Sequence, residues 1–306
     1  MLRYTDMQYG EVDKVQTAIN RLKAFEPPEG YYLAFSGWKD STVLKALADM
    51  AGVKYDAHYS ATTVDPPELV RFIKAQHPDV EIIKPDVPMI KLIPQKSMPP
   101  TRLARYCCAY YKENNGNDRV TLTGTRWAES KKRRDNQGLV TVFNKKAAKL
   151  ANENSAEHKE TSRGGIVMNY DDAPTRRTVE MCYRTHKTLV NPIIDWEDED
   201  VWEFIHTYNI PYCSLYDEGW KRLGCVGCPM GGEAAMKREF ERWPAIRKLY
   251  VRAFERMIAR HKERGTPCRW ETGEDAMRWW LKEKPEAQIP GQMDMLKEND
   301  DGTQAD

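Results

Sequence analysis

Residues 31–47 read Tyr-Tyr-Leu-Ala-Phe-Ser-Gly-Trp-Lys-Asp-Ser-Thr-Val-Leu-Lys-Ala-Leu. Tyr31 to Phe35 are aromatic or apolar and predict a buried parallel strand. A polar turn follows from Ser36 to Ser41, and Thr42, Val43, Leu44 and Leu47 then fall at helical spacing. Strand, short glycine-bearing loop and helix are the parts of an anion cradle. Loop N–H groups and an open helix N-terminus face one spot, where the helix dipole favours negative charge. Around Gly37, Lys39 is expected to add a mobile cation beside Asp40, and Ser36, Ser41 and Thr42 to add hydroxyl donors. The four-residue spacer of the Walker pattern is missing, so this is a different phosphate loop.

The flanks fit the same architecture. Val12, Val15, Ile19 and Leu22 predict an amphipathic helix stopped by Pro27-Pro28. Val53–Tyr59, Val80–Ile83 and Arg119–Thr125 predict further strands, and Asp65-Pro66-Pro67-Glu68 opens a helix with proline in its first turn. Strands alternating with helices predict an α/β fold with a doubly wound, mainly parallel, Rossmann-like sheet. Ser36–Ser41 and Thr62–Asp65 then lie at its carboxyl edge, where ligands bind.

Pro85 to Pro100 holds five prolines and is expected to be an irregular connection, followed by a helix over Thr101–Asn114. Residues 135–183 are polar and weakly patterned, which predicts an insertion, partly ordered at best. Order is expected again at Leu189–Trp196 and in a helix over Glu197–Tyr208. After the loop Asn209–Gly232, the spacing of Ile246, Leu249, Tyr250, Phe254, Met257 and Ile258 predicts a long amphipathic helix. The expected organisation is an α/β domain over residues 1–232, with its insertion at 135–183, and a helical region over 233–306 ending in a disordered tail.

With 306 residues the chain is long enough to bury a full α/β core. Its 47 Lys+Arg against 46 Asp+Glu make no overall case for nucleic acid; only local clusters such as Lys131–Arg134 do. No stretch has the length and apolarity of a signal core or membrane span, so a cytoplasmic location is expected. There the seven cysteines are thiols or metal ligands rather than disulfides. Cys225-Val226-Gly227-Cys228 has metal-knuckle spacing, and Cys107-Cys108 are the obvious further donors. Thiolate-only ligation serves zinc or a [4Fe–4S] cluster. Adjacent cysteines, whose side chains diverge, are awkward for a small tetrahedral zinc site, and a cubane accepts that geometry more readily.

Ser36–Ser41 resembles the SGGKDS loop of the PP-loop ATP pyrophosphatases and of their relatives, the phosphoadenosine phosphosulfate (PAPS) reductase family. Trp38 stands where that pattern has its second glycine, and a left-handed backbone there would cost about 1–2 kcal/mol. Arg105-Tyr106-Cys107-Cys108 with Lys112, then Cys225-x-x-Cys228, resembles the cluster-binding pattern of the iron–sulfur members. Gly124-x-Arg126-x-x-Glu129-Ser130 with Arg133 resembles their substrate segment. Asn191-Pro192-Ile193-Ile194-x-Trp196, then Asp200-Val201-Trp202, resembles the segment before the cluster loop.

The resemblance implies ATP or a related adenine nucleotide such as PAPS, with Mg2+. It would be held by Ser36, Gly37, Lys39, Asp40, Ser41, Thr42, Asp65, Gly124 and Glu129. Lys39, Asp40, Arg126 and Arg133 would be catalytic. Cys107, Cys108, Cys225 and Cys228 would bind a [4Fe–4S] cluster, with Cys182 as an alternative to Cys107. The Glu-Cys-Gly-like tail of the reductases is missing, and Cys268 has no such context. ATP-dependent sulfur transfer, with a sulfur or electron donor protein and a nucleic-acid acceptor, is therefore the leading expectation. Sulfonucleotide reduction and a non-catalytic, cluster-bearing nucleotide sensor are the alternatives.

Overall fold

The structure is a computed structural model that describes residues 1–7, 10–162, 164–183 and 187–283. A hairpin of β1 (Arg3–Asp6) and β2 (Gly10–Asp13) leads into α1 (Lys14–Ala24), which buries Val15, Ala18, Ile19 and Leu22. The main sheet comprises β3 (Tyr31–Ala34), β4 (Tyr55–Ser60), β5 (Glu81–Ile83), β6 (Val120–Leu122), β7 (Val140–Val142), β8 (Lys159–Glu160), β9 (Ile166–Met168) and β10 (Thr188–Val190). Its order is β5-β4-β3-β6-β10-β7-β9-β8. The five strands from β5 to β10 are parallel, and β7, β9 and β8 continue antiparallel. The α/β reading holds: helices such as α2 (Lys39–Ala51) and α3 (Pro67–Gln76) alternate with the parallel strands.

The insertion departs from expectation. Residues 135–183 build three strands together with α6 (Lys131–Asn136), α7 (Ala147–Glu153) and α8 (Ala173–Cys182). Val140, Val142, Ile166 and Met168 are fully buried. Hydrophobic burial therefore orders this segment. Its strands are too short to display a period of two along the sequence. The proline-rich connection is also more regular than expected. It holds α4 (Met89–Lys96), with Pro94 inside the helix and Leu92 and Ile93 buried. The helix expected from Thr101 begins later, as α5 (Tyr106–Cys108), and passes into a π-helical turn at Ala109–Glu113.

α9 (Asp198–Thr207) follows β10, and α10 (Glu233–Arg242), α11 (Pro244–Glu263) and α12 (Gly273–Trp280) close the described chain, with α11 packed on α4 and α12. Residues 284–306, where a disordered tail was expected, lie outside the described residues. No helix of the described chain is long and apolar enough to cross a membrane.

Asp200 ties α9 to α1. It is buried, pairs with the Lys14 ammonium, and accepts the Glu197 N–H at 2.8 Å. Burial works to raise its pKa, but Lys14 and the other donors bring it below the ordinary value. A depressed carboxylate stabilises the fold above its unfolded pKa of about 3.9, and this is lost as pH falls through the folded pKa. Asp200→Asn should therefore lower stability near neutrality by about 3 kcal/mol. Urea unfolding from pH 7 downward checks this. The parent should lose stability below about pH 4, and the variant should show a flatter profile there.

Candidate functional site

The phosphate loop turns at Gly37, whose φ is +71°, and a Cβ there would sit 2.8 Å from Leu69 Cδ1 on α3. Glycine is required both for the left-handed backbone and for the close approach. Trp38 is extended, with φ −84° and ψ 159°, so the strain expected at that residue does not arise. The loop is also more self-contained than an open cradle. The Ser36 N–H donates to Ser41 Oγ at 3.2 Å, Ser41 Oγ donates to Trp38 O at 3.0 Å, and the Lys39 N–H donates to the Tyr216 hydroxyl at 3.0 Å. In the first turn of α2, Thr42 Oγ1 is buried without a partner.

Lys39 is not a mobile surface cation. It is 5% exposed, with Nζ 2.8 Å from Asp198 Oδ1 and 3.3 Å from Asp40 Oδ1. Arg126, 2% exposed, completes the group: Nε lies 2.7 Å from Asp40, one terminal nitrogen 2.5 Å from Asp198, and the other donates to Trp196 O at 3.2 Å. Gly124 allows this meeting, because a Cβ there would sit 2.9 Å from Asp40 backbone atoms. Two cations and two carboxylates thus neutralise one another at the start of α2. Asp198 was not singled out in the sequence, since acidic residues in the first turn of α9 also serve as ordinary helix-start signals.

The remaining substrate-segment residues act around this quartet. Glu129 accepts the Arg126 N–H at 3.1 Å and pairs with Arg133. Arg133 therefore sits on Glu129 and is not brought into the quartet. Asp65 accepts the Thr62 N–H at 2.7 Å and the Thr62 hydroxyl at 2.8 Å, which fixes the turn after β4. The cysteine loop is strapped to that turn, with the Val226 N–H donating to Val64 O at 2.9 Å.

A cavity of about 250 Å³ lies beside the loop. Tyr32, His58 and Thr121 line it from the sheet, Lys112 and Asn115 from the segment after the cysteine pair, and Trp38 from the phosphate loop. The Tyr32 ring stacks on His58 at 4.3 Å. The hydroxyl of Tyr32, a lining residue, is buried without a hydrogen-bond partner, while that of Tyr59 turns toward Asp65. Buried polar groups are normally satisfied, so this cavity suits a polar, hydrogen-bonding ligand. Trp38 also reaches the cysteine loop: Arg222 lies 5.5 Å over its ring, and a Cβ on Gly224 would touch the ring at 3.4 Å.

The expected thiols are gathered. Cys107 and Cys108 share a hydrogen bond that raises the first thiol's pKa and lowers the second's, with Arg105 and Lys112 adding to the lowering at Cys108. Burial raises Cys225 and Cys228, and Lys112 opposes the rise at Cys225. Each of these thiols feels the charge of others in the group, and Lys112 Nζ is 3.6 Å from Cys225 Sγ. Cys182 instead occupies the buried end of α8, where burial raises its thiol. Among the described residues no set of three or more His, Cys, Asp or Glu side chains stands in metal-holding geometry. The donor chemistry nevertheless fits a thiolate-bound group: four sulfurs, flanked by Arg105 and Lys112 as counter-charges.

Sheet, loop and quartet define an α/β protein of the pyrophosphate-loop class. Residues 30–230 match the phosphoadenosine phosphosulfate reductase domain, and the chain belongs to that family. Adenosine 5'-phosphosulfate reductase of Geobacillus thermodenitrificans is 36% identical over 61 residues, 19% of this chain and 26% of that protein. Adenosine 5'-phosphosulfate reductase 2 of Bacillus subtilis is 28% identical over 81 residues, 26% and 34% of the two chains. The matches thus span a minor part of these relatives. Among solved structures, the phosphate complex of PAPS reductase from Candida auris is 15% identical over 68% of this chain and 88% of its own, with TM-score 0.40. FMN adenylyltransferase of Candida glabrata with FAD and inorganic pyrophosphate is 14% identical over 70% and 64%, with TM-score 0.39.

Proposed function

We propose that the protein is an adenine-nucleotide-dependent sulfur-transfer enzyme that activates an acceptor with ATP. One observation carries the reading: Lys112 both lines the cavity beside the phosphate loop and contacts Cys225, so nucleotide and thiol chemistry share a wall. In this reading the nucleotide, with Mg2+, enters the cavity and engages the Tyr32 hydroxyl. Its phosphates displace Asp198 from Lys39 and Arg126. An acceptor oxygen attacks the α-phosphorus, the bond to pyrophosphate breaks, and Lys39 and Arg126 hold the charge that develops on the leaving group. The outer sulfur of a donor-protein persulfide then displaces AMP from the acceptor, and a second donor thiol attacks the inner sulfur, leaving a donor disulfide and the thiolated acceptor. Cys107, Cys108, Cys225 and Cys228 would hold a [4Fe–4S] cluster, which supplies a redox-active centre at the cavity wall. The Lys131–Arg134 run of α6 would meet a nucleic-acid acceptor through its phosphates.

A second reading, reduction of a sulfonucleotide to sulfite, is favoured by the similarity to adenosine 5'-phosphosulfate reductases. It needs a nucleophilic thiol beyond the four. Cys268, half-buried between α11 and α12, is the candidate in the C-terminal region. Parallel incubations test the two readings. ATP with tRNA or DNA and a persulfide donor should yield AMP and pyrophosphate in equal amounts. PAPS or adenylylsulfate with thioredoxin should yield no sulfite. Rapid sulfite release that disappears in Cys268→Ser would replace the first reading with the second.

A further inference from the structure

We infer that Glu239 is a positioning residue for the thiol group, its carboxyl clamping the backbone of the Cys225–Cys228 turn. The inference rests on the four-thiol reading above. Glu239 belongs to α10, beyond the residues that match the family, so the clamp comes from the helical C-terminal region.

The turn is made at Gly227, whose φ is +72°, a conformation in which a glycine is otherwise free to wander. Three contacts remove that freedom. Glu239 Oε2 accepts the Gly227 N–H at 2.6 Å, a short hydrogen bond. Phe240, the next residue of α10, covers the same glycine closely enough that a Cβ would sit 2.3 Å from its Cζ. The Tyr250 hydroxyl of α11 donates to Val226 O at 3.1 Å. With the Val226 N–H already bonded to Val64 O, both residues between the two cysteines are held by named partners.

Phe240 supplies shape, whereas Tyr250 holds a carbonyl. Glu239 holds the Val226–Gly227 peptide by its N–H while Tyr250 holds it by its carbonyl, and Glu239 also accepts from the Cys228 backbone, so it reaches the backbone on both sides of Gly227. A side-chain amide keeps the same acceptor oxygen without the charge, whereas alanine removes it.

The test uses Co2+ alone, titrated into the reduced, metal-free full chain, with thiolate-to-cobalt absorption as the readout. Removing an outer-shell partner typically weakens metal binding by about 10–100-fold, so Glu239→Ala should raise the Kd for Co2+ at least about tenfold. Glu239→Gln should stay within about threefold of the parent, as a retained hydrogen bond requires. Unchanged binding in Glu239→Ala overturns the inference, and so does a Gln variant as weak as the Ala variant. Circular dichroism separates a loss of fold from a loss of the clamp, and the Gln variant keeps the test decisive where Ala does not fold. A parent that takes up no cobalt would show that the four thiols do not close around a single ion, and would leave the cluster reading standing. The clamp is then read from iodoacetamide alkylation of Cys225 and Cys228, which should be faster in Glu239→Ala than in the parent and the Gln variant. Equal alkylation rates in all three proteins overturn it.

Discussion

Arg126→Met should lower the stability of the protein by about 3 kcal/mol, because it breaks a buried ion-pair group and leaves its partners uncompensated. The guanidinium is 2% exposed and bonds Asp40, Asp198 and the Trp196 carbonyl. Without it, two carboxylates face Lys39 alone, and a buried carbonyl loses its donor. The Asp198 side chain is 63% exposed, so solvent screens its share and keeps the loss at the lower end of the range for buried pairs. The same change removes one of two cations from the proposed phosphate position. Pyrophosphate binding, measured by calorimetry, should fall about 100-fold, equivalent to roughly 2.7 kcal/mol. Urea unfolding measures the first effect. A Met variant with parent-like unfolding and parent-like pyrophosphate affinity would falsify the quartet as an anion site.

What the sequence disclosed follows from the range over which each signal acts. Tyr31–Leu47 was legible because strand, turn and helix are local patterns, and α2 runs from Lys39 to Ala51 as the spacing of its apolar residues requires. The cysteine pairs were legible because adjacency and a two-residue gap are visible in one dimension. Strands of two or three residues are not: β7, β8 and β9 are too short to show alternation, so the antiparallel end of the sheet was hidden in a polar stretch. The state of Lys39 was hidden for another reason. Its partner Asp198 is 159 residues away, and only the crossing of α9 over the start of α2 brings them together. Trp38 was misjudged locally, because the loop needs one left-handed residue and Gly37 already provides it. Glu239 lies in an amphipathic helix of ordinary appearance, and its contact with Gly227 exists only once that helix is packed.

Lys39→Met should reduce ATP-dependent formation of AMP and pyrophosphate by about 10²–10³-fold, the usual effect of losing one preorganised stabiliser of developing charge. Lys39 is held in place before any substrate arrives, with Nζ fixed by Asp198 and Asp40 and its N–H fixed by Tyr216. Such a cation needs no reorganisation when pyrophosphate departs, so its absence should appear in kcat more than in KM. Stability should also fall, by about 1–2 kcal/mol, since a buried charge loses its pairs while Arg126 still serves both carboxylates. A freely exposed lysine would have contributed almost nothing. Lys39→Arg should not restore turnover, because the pocket between Asp40 and Asp198 is already occupied on its other side by the Arg126 fork, and a second planar guanidinium does not fit the place of an ammonium. A rise in KM with unchanged kcat in Lys39→Met would mean that the lysine binds substrate and transition state equally. The charge on the leaving pyrophosphate would then rest on Arg126 and on the N-terminal turn of α2.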